Sequence, residues 1–236
     1  NGSIDELHAP ELLKDAQKAV DILTEKIAQH KKIRIIGDYD IDGICSITIL
    51  YKALKKAGAD VDYVVPHRIT DGYGINEHLI DNAAAEGKDT ILTCDNGIAA
   101  IPQIQYAKEH GLTVIVTDHH ELPEELPDCV IVNPKNADDY PYDNLCGAGV
   151  AFKVACALLG EKAYDLLDFA ALATVADSVP LLGENRDIVT EGLKLFNADH
   201  RSCFTYLLAR TKEKQGDEIT AQTLAFTLAP RVNAAG

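Results

Sequence analysis

The sequence has 236 residues, 47% of them apolar, enough for one large globular domain or a core with an appendage. Its formal net charge of −15 argues against a broad basic surface for double-stranded DNA. Single strands stay open, because bound cations or a local groove can differ from the average. No apolar run approaches the roughly 18 residues that span a bilayer, and the first ten residues lack the basic start of a secretory signal. The six cysteines (Cys45, Cys94, Cys129, Cys146, Cys156, Cys203) form no C-x-x-C pair. They read as reduced thiols in a cytoplasmic protein. Methionine is absent and the sequence stops on Pro230-Arg231-Val232-Asn233-Ala234-Ala235-Gly236, so we expect a piece of a longer chain.

Apolar positions at helical spacing over 11–30 (Leu12, Leu13, Ala16, Val20, Leu23, Ile27) predict an amphipathic helix. Strand-like runs follow at about 33–37, 61–65, 90–94, 113–117 and 129–132, alternating with helical patterns at about 44–57, 76–86, 98–109 and 147–159. This alternation predicts an α/β fold, a mostly parallel five-stranded sheet with helices on both faces. From about 162 strand signals vanish, and helices are expected near 163–177, 186–197, 200–211 and 220–229. The division is therefore an α/β core over 1–160 and an all-helical C-terminal segment over 161–236. The irregular stretch 133–146 is expected to border the site.

Acidic strings sit at the strand ends. Asp38-Tyr39-Asp40-Ile41-Asp42-Gly43 follows the first apolar run, Asp95-Asn96-Gly97 the third, and Asp118-His119-His120-Glu121 the fourth. A parallel sheet gathers its strand ends along one edge, where so many acids repel one another unless cations hold them. Asp-x-Asp-x-Asp-Gly also opens an EF-hand loop, but the twelfth position is Ile49 instead of Glu and a strand precedes Asp38, so that reading fails. A solvated acidic turn is the plain alternative for the first string alone. Adjacent histidines are often packing residues; beside clustered aspartates they suit Mn²⁺. Asp177, in the apolar stretch 173–180, is a buried acid in need of a partner.

These four strings resemble, in order and type, the motifs of the DHH phosphoesterase superfamily. Further stretches are similar to its RecJ branch of single-stranded-DNA exonucleases: Pro66-His67-Arg68 before Asp71-Gly72-Tyr73-Gly74, Asn133-Pro134, the run 145–153, the run 181–186 and the terminal run 230–236. Ala173 departs from the Gly that family members often carry. The resemblance implies two divalent metal ions, Mn²⁺ preferred and Mg²⁺ possible. Asp38 and Asp40 would hold one ion and Asp42, His119 and Asp177 the other, with Asp95 bridging. Asp118 would orient a histidine, and His120 would contact the scissile phosphate or protonate the leaving oxygen.

Arg68 is the candidate for a terminal phosphate, against an exposed loop Arg. Tyr73 is the candidate for stacking on a base, against a turn-packing role. Gly147 and Gly149 are candidates for bringing a helix N-terminus to a phosphate. The implied activity is 5′→3′ hydrolysis of single-stranded DNA to mononucleotides in recombination and repair. The implied setting is a monomer, away from membranes, whose DHHA1 domain in cis is not among these residues. The alternatives are a phosphodiesterase for short oligonucleotides or cyclic dinucleotides, and a non-catalytic nucleic-acid-binding scaffold.

Overall fold

The protein is described from a computed structural model covering residues 2–67, 72–136, 139–198, 201–211 and 218–234. Five short strands rich in β-branched residues form the sheet: β1 (Lys32–Ile36), β2 (Asp60–Val64), β3 (Thr90–Cys94), β4 (Thr113–Thr117) and β5 (Val130–Val132). All neighbours are parallel, in the order β2-β1-β3-β4-β5. The intervening helices are α1 (Ala16–Ala28) before β1, α2 (Ile41–Lys56), α3 (Glu77–Ala85), α4 (Ile101–Glu109) and α5 (Gly147–Leu159). Both sheet faces are covered, as the near-continuous apolar strands require. Ile33, Ile35, Leu92, Cys94, Ile115 and Val132 join the core built with α1, α2 and α5. Ile36, Ile91, Val114, Val116 and Ile131 join the smaller core under α3 and α4. The expected fold class is the observed one.

The helical continuation comprises α6 (Leu167–Ala176), α7 (Gly183–Ala198), α8 (Ser202–Leu208) and α9 (Ala221–Thr223), the last running through a π-helical stretch (Leu224–Leu228) into α10 (Ala229–Asn233). Several helix boundaries differ from expectation, three of them for clear local reasons. Pro10–Leu12 is a 3₁₀ turn, so α1 starts only at Ala16. Gly160–Leu166 is also 3₁₀ and delays α6. Most consequentially, Asp40 caps α2, which therefore begins at Ile41 and carries Asp42 in its first turn.

Two charged networks settle residues that look misplaced in the sequence. Arg34, a cation inside β1, is 5% exposed. It donates to Asp62 at 3.0 and 2.7 Å and to Glu86 at 2.5 Å. Lys153 on α5 pairs with Glu184 on α7, both side chains buried. Lys153 also donates to the His8 carbonyl at 2.6 Å, while Glu184 accepts from the His8 N–H at 2.9 Å and the Tyr140 hydroxyl at 2.5 Å. The pair thus ties the N-terminal segment to two helices.

The chain order reverses between β1 and β3, and at such a switch point loops diverge to opposite faces and leave a crevice outside the carboxyl ends of the strands. The acidic strings end up at this crevice. The six cysteines are free thiols, with Cys45, Cys94 and Cys146 buried and Cys203 exposed. Among the described residues no helix is long and apolar enough to cross a membrane.

Candidate metal centre

The first acidic string leaves β1 as a tight loop into α2. Asp38 Oδ1 accepts from the Tyr39 N–H at 2.8 Å, and Asp40 Oδ1 accepts from the Gly43 N–H at 2.9 Å. Gly43 is required because a Cβ there would lie 2.6 Å from the Asp38 carbonyl oxygen. Asp95 leaves β3 in a left-handed conformation, φ +61°, which Asp tolerates better than most residues. Its neighbour Asn96 braces the turn. The Asn96 side chain donates to the carbonyls of Ile36 (3.1 Å) and Cys94 (2.9 Å) and accepts from the Ile75 N–H at 3.2 Å. β4 delivers Asp118, His119 and His120, and Asp177 caps the end of α6.

These side chains converge. Among the described residues, three sets of ligand-type atoms lie within 4.8 Å of one another: Asp38, Asp40 and Asp95; Asp42, His119 and Asp177; and Asp95, His119 and His120. His119 Nε2 stands 3.1 Å from Asp95 Oδ1 and 3.6 Å from Asp42 Oδ2, and His119 Nδ1 stands 3.9 Å from Asp177 Oδ2. Burial, and then repulsion from Asp95, pushes the Asp42 carboxyl well above its ordinary range. Burial, followed by Asp40 and Asp118, does the same to Asp95. Asp177 is also raised, chiefly by burial. Asp95 Oδ1 is buried yet accepts no well-formed hydrogen bond.

Buried acids forced towards protonation, with an unsatisfied oxygen facing imidazole, are a donor set that divalent cations fit: carboxylate and imidazole together suit Mn²⁺ and related ions. Residues Asp38, Asp40, Asp42, Asp95, His119 and Asp177 could hold them.

Asp118 belongs to none of the three sets and instead holds the histidine loop in place. Its Oδ2 accepts from the Ile98 N–H at 2.9 Å. Its Oδ1 accepts from the His119 N–H (2.8 Å), the His120 N–H (3.2 Å) and His120 Nδ1 (2.7 Å). Burial would raise Asp118, but the bond and charge of His120 and the amide bonds outweigh it and hold its carboxyl low. The same bond raises His120 against the opposing effect of burial. His120, with 48% of its side chain exposed, faces the cleft.

Tyr73 donates its hydroxyl to the Asp95 carbonyl at 2.9 Å and lies 3.4 Å from His120 Nε2. Its ring meets His120 edge-on, at 86°. The cavity beside them, about 380 Å³, is walled by Tyr73, Ile75, Gly97, Ile98, Gln103 and His120.

Two glycine candidates behave otherwise than a phosphate role needs. The Gly147 and Ala148 N–H groups donate to Asp42 Oδ2 (2.7 Å) and Oδ1 (2.8 Å), and the Gly149 N–H points at Cys146 Sγ (3.4 Å). The α5 N-terminus is thus engaged by a carboxylate of the chain itself. Arg68 lies outside the described residues.

Sequence reasoning did not single out Asn96, nor, within the stretch 133–146 that it expected to border the site, the roles of Asn133 and Lys135. Asn133 donates to the His120 carbonyl at 3.0 Å, and Lys135 Nζ donates to the His119 carbonyl at 2.8 Å. Asn next to a strand-end Asp was a signal for the first. Nothing in the string Asn133-Pro134-Lys135 points across the sheet edge to His119.

A doubly wound parallel sheet with this acid-and-imidazole cluster at its switch point defines a class of α/β protein whose chemistry sits on strand-end loops. The model of the DHH family, N-terminal domain, matches residues 32–175, and the chain belongs to the DHH family. It is 44% identical over 235 residues to the single-stranded-DNA-specific exonuclease RecJ of Bacillus subtilis (strain 168), covering 98% of this chain and 30% of that protein. A crystal structure of exonuclease RecJ bound to manganese superposes with a TM-score of 0.85 at 36% identity, covering 94% of this chain and 57% of the other. A crystal structure of RecJ from Thermus thermophilus in complex with Mg²⁺ gives 0.68 at 32% identity, covering 94% and 29%. The chain therefore spans about a third of the length of the Bacillus relative.

Proposed function

We propose that this chain is the DHH catalytic part of a 5′→3′ exonuclease that hydrolyses single-stranded DNA to mononucleotides in recombination and repair. The observation that carries the reading is the convergence of five aspartates and two histidines on one crevice, in a chain 44% identical to a RecJ exonuclease. Asp38, Asp40 and Asp95 would hold one divalent ion and Asp42, His119 and Asp177 the other, with Asp95 shared. Mn²⁺ is the preferred ion and Mg²⁺ a possible one. When bound, such ions supply Lewis acidity that activates water and neutralises charge on the phosphoryl oxygens.

The chain's own groups do the rest. Asp118 fixes His120 through Nδ1 and leaves Nε2 facing the cleft. A proton held at Nε2 passes to the leaving oxygen, the role for which a raised imidazole is suited. Tyr73, ring exposed and hydroxyl anchored, offers a face on which a base stacks. Arg68 is assigned to a terminal phosphate. The working protein is a cytoplasmic monomer, and further grip on the strand belongs to the part of the relatives that lies beyond the matched region, a DHHA1 domain in cis.

The test is Mn²⁺-dependent digestion of a 5′-phosphorylated single-stranded oligonucleotide beside a dinucleotide, with Asp95→Ala as control. Stepwise release of mononucleotides from the 5′ end, lost in the variant, supports the proposal. Turnover of the dinucleotide alone replaces it with a small-substrate phosphodiesterase.

A further inference from the structure

The geometry points to Gly147 as a positioning residue: its missing side chain and its N–H set where Asp95 and Asp42 stand relative to each other, and so set the affinity of the pair for metal. The inference rests on the metal-centre reading above.

Gly147 is the first residue of α5 and touches two acids from distant parts of the chain. Its N–H donates to Asp42 Oδ2 at 2.7 Å while the next N–H takes Oδ1 at 2.8 Å, so both Asp42 oxygens are held by one helical turn. Negative charge at a helix N-terminus is favourable in itself, which anchors the turn against Asp42. On its other side Gly147 faces Asp95. A methyl group there would stand 2.7 Å from Asp95 Oδ1, 2.8 Å from its Cβ and 2.9 Å from its Cγ, all well inside van der Waals contact.

Neither partner can yield by moving its backbone. The Asp95 N–H donates to the Thr117 carbonyl at 3.0 Å, its carbonyl accepts from Tyr73, and its φ of +61° allows few alternatives. The start of α5 is buried from Cys146 to Lys153. The strain of an added Cβ therefore falls on Asp95: its Cβ, fixed by the backbone, keeps the 2.8 Å clash, and its carboxylate, whose Oδ1 accepts no well-formed hydrogen bond, is turned out of place.

Residues that orient ligands from outside the coordination sphere typically govern metal affinity by about 10–100-fold. Gly149, two residues on, has the Leu145 side chain as its nearest neighbour, at 3.3 Å and beyond, and so provides the matched control.

The test has two arms on the 236-residue chain. In calorimetric titration with Mn²⁺, Gly147→Ala binds about 10–100-fold more weakly than wild type, while Gly149→Ala matches it. Equal Mn²⁺ affinity in Gly147→Ala and wild type overturns the inference. The second arm is a metal-free double-mutant cycle of thermal stability with Asp95→Gly, which removes the Cβ as well as the carboxylate and keeps the left-handed turn unstrained. Gly147→Ala lowers the melting temperature of wild type and leaves that of Asp95→Gly unchanged. Should Gly147→Ala alone fail to fold, the double variant folds. An equal loss in both backgrounds overturns the inference. A wild type that binds no Mn²⁺ removes the metal reading, and the metal-free cycle still decides whether Gly147 sets Asp95.

Discussion

Asp118→Asn separates proton delivery by His120 from metal chemistry. Asp118 accepts four donors, three at Oδ1 and the Ile98 N–H at Oδ2. An asparagine that keeps its oxygen on the His119 and His120 donors turns its NH₂ onto the Ile98 N–H. The opposite orientation aims NH₂ at the His119 and His120 amides. Either way a buried donor faces a donor, at about 1–3 kcal/mol, which weakens the fold without abolishing it. The functional loss is larger: the charge that raises His120 is gone, and with it up to the roughly 10²–10⁴-fold that a positioned proton donor contributes.

The assay compares kcat on an oligonucleotide, whose sugar alkoxide needs a proton to leave, with kcat on a p-nitrophenyl ester of thymidine monophosphate, whose phenolate does not. The oligonucleotide rate falls by about 10²–10⁴ and the phenyl ester rate falls far less. Equal losses on the two substrates would refute the role given to His120.

Three further predictions concern the scaffold. Glu184→Gln leaves Lys153 buried without its counter-ion and costs about 3–5 kcal/mol in urea denaturation; a loss below about 1 kcal/mol contradicts this. Burial tends to raise Asp62, but the Arg34 and Lys88 hydrogen bonds prevail and hold its carboxyl low. A depressed folded pKa stabilises above the unfolded value near pH 4 and the gain is lost as pH falls through the folded value. Asp62→Asn accordingly shows a shallower loss of stability below about pH 4 than wild type, and parallel curves would contradict it. In native protein an aromatic disulfide reagent modifies Cys203 first, because Cys45, Cys94 and Cys146 are buried and burial pushes their thiols up; rapid labelling of Cys94 would contradict the packing of β3.

What was legible in the sequence was local. The strands at 90–94 and 113–117 match residue for residue because a buried parallel strand is an uninterrupted apolar run. The acids at strand ends were legible because strand ends share an edge in any parallel sheet, whatever the strand order. The order itself, with β1 between β2 and β3, has no local signature: it comes from which face each crossover helix covers. The early start of α2 was hidden because Asp40 serves two purposes, capping a helix with Oδ1 while standing in the acid cluster. The Gly147 contact with Asp42 joins residues 105 positions apart, and Gly-x-Gly before a helix looked like a phosphate loop until a carboxylate was found on its amides. Arg34 lies within the strand-like run of β1, and its partners Asp62 and Glu86, 28 and 52 positions away, come alongside only in the fold.

The measurement that bears most directly on the central claim is the Mn²⁺ stoichiometry of the 236-residue chain, from equilibrium dialysis with electron paramagnetic resonance of the bound ions. A dinuclear centre predicts two ions per chain with spectra broadened by coupling between them, reduced to one or none in Asp95→Ala. Binding of a single uncoupled ion, or two ions that survive loss of Asp95, would contradict it.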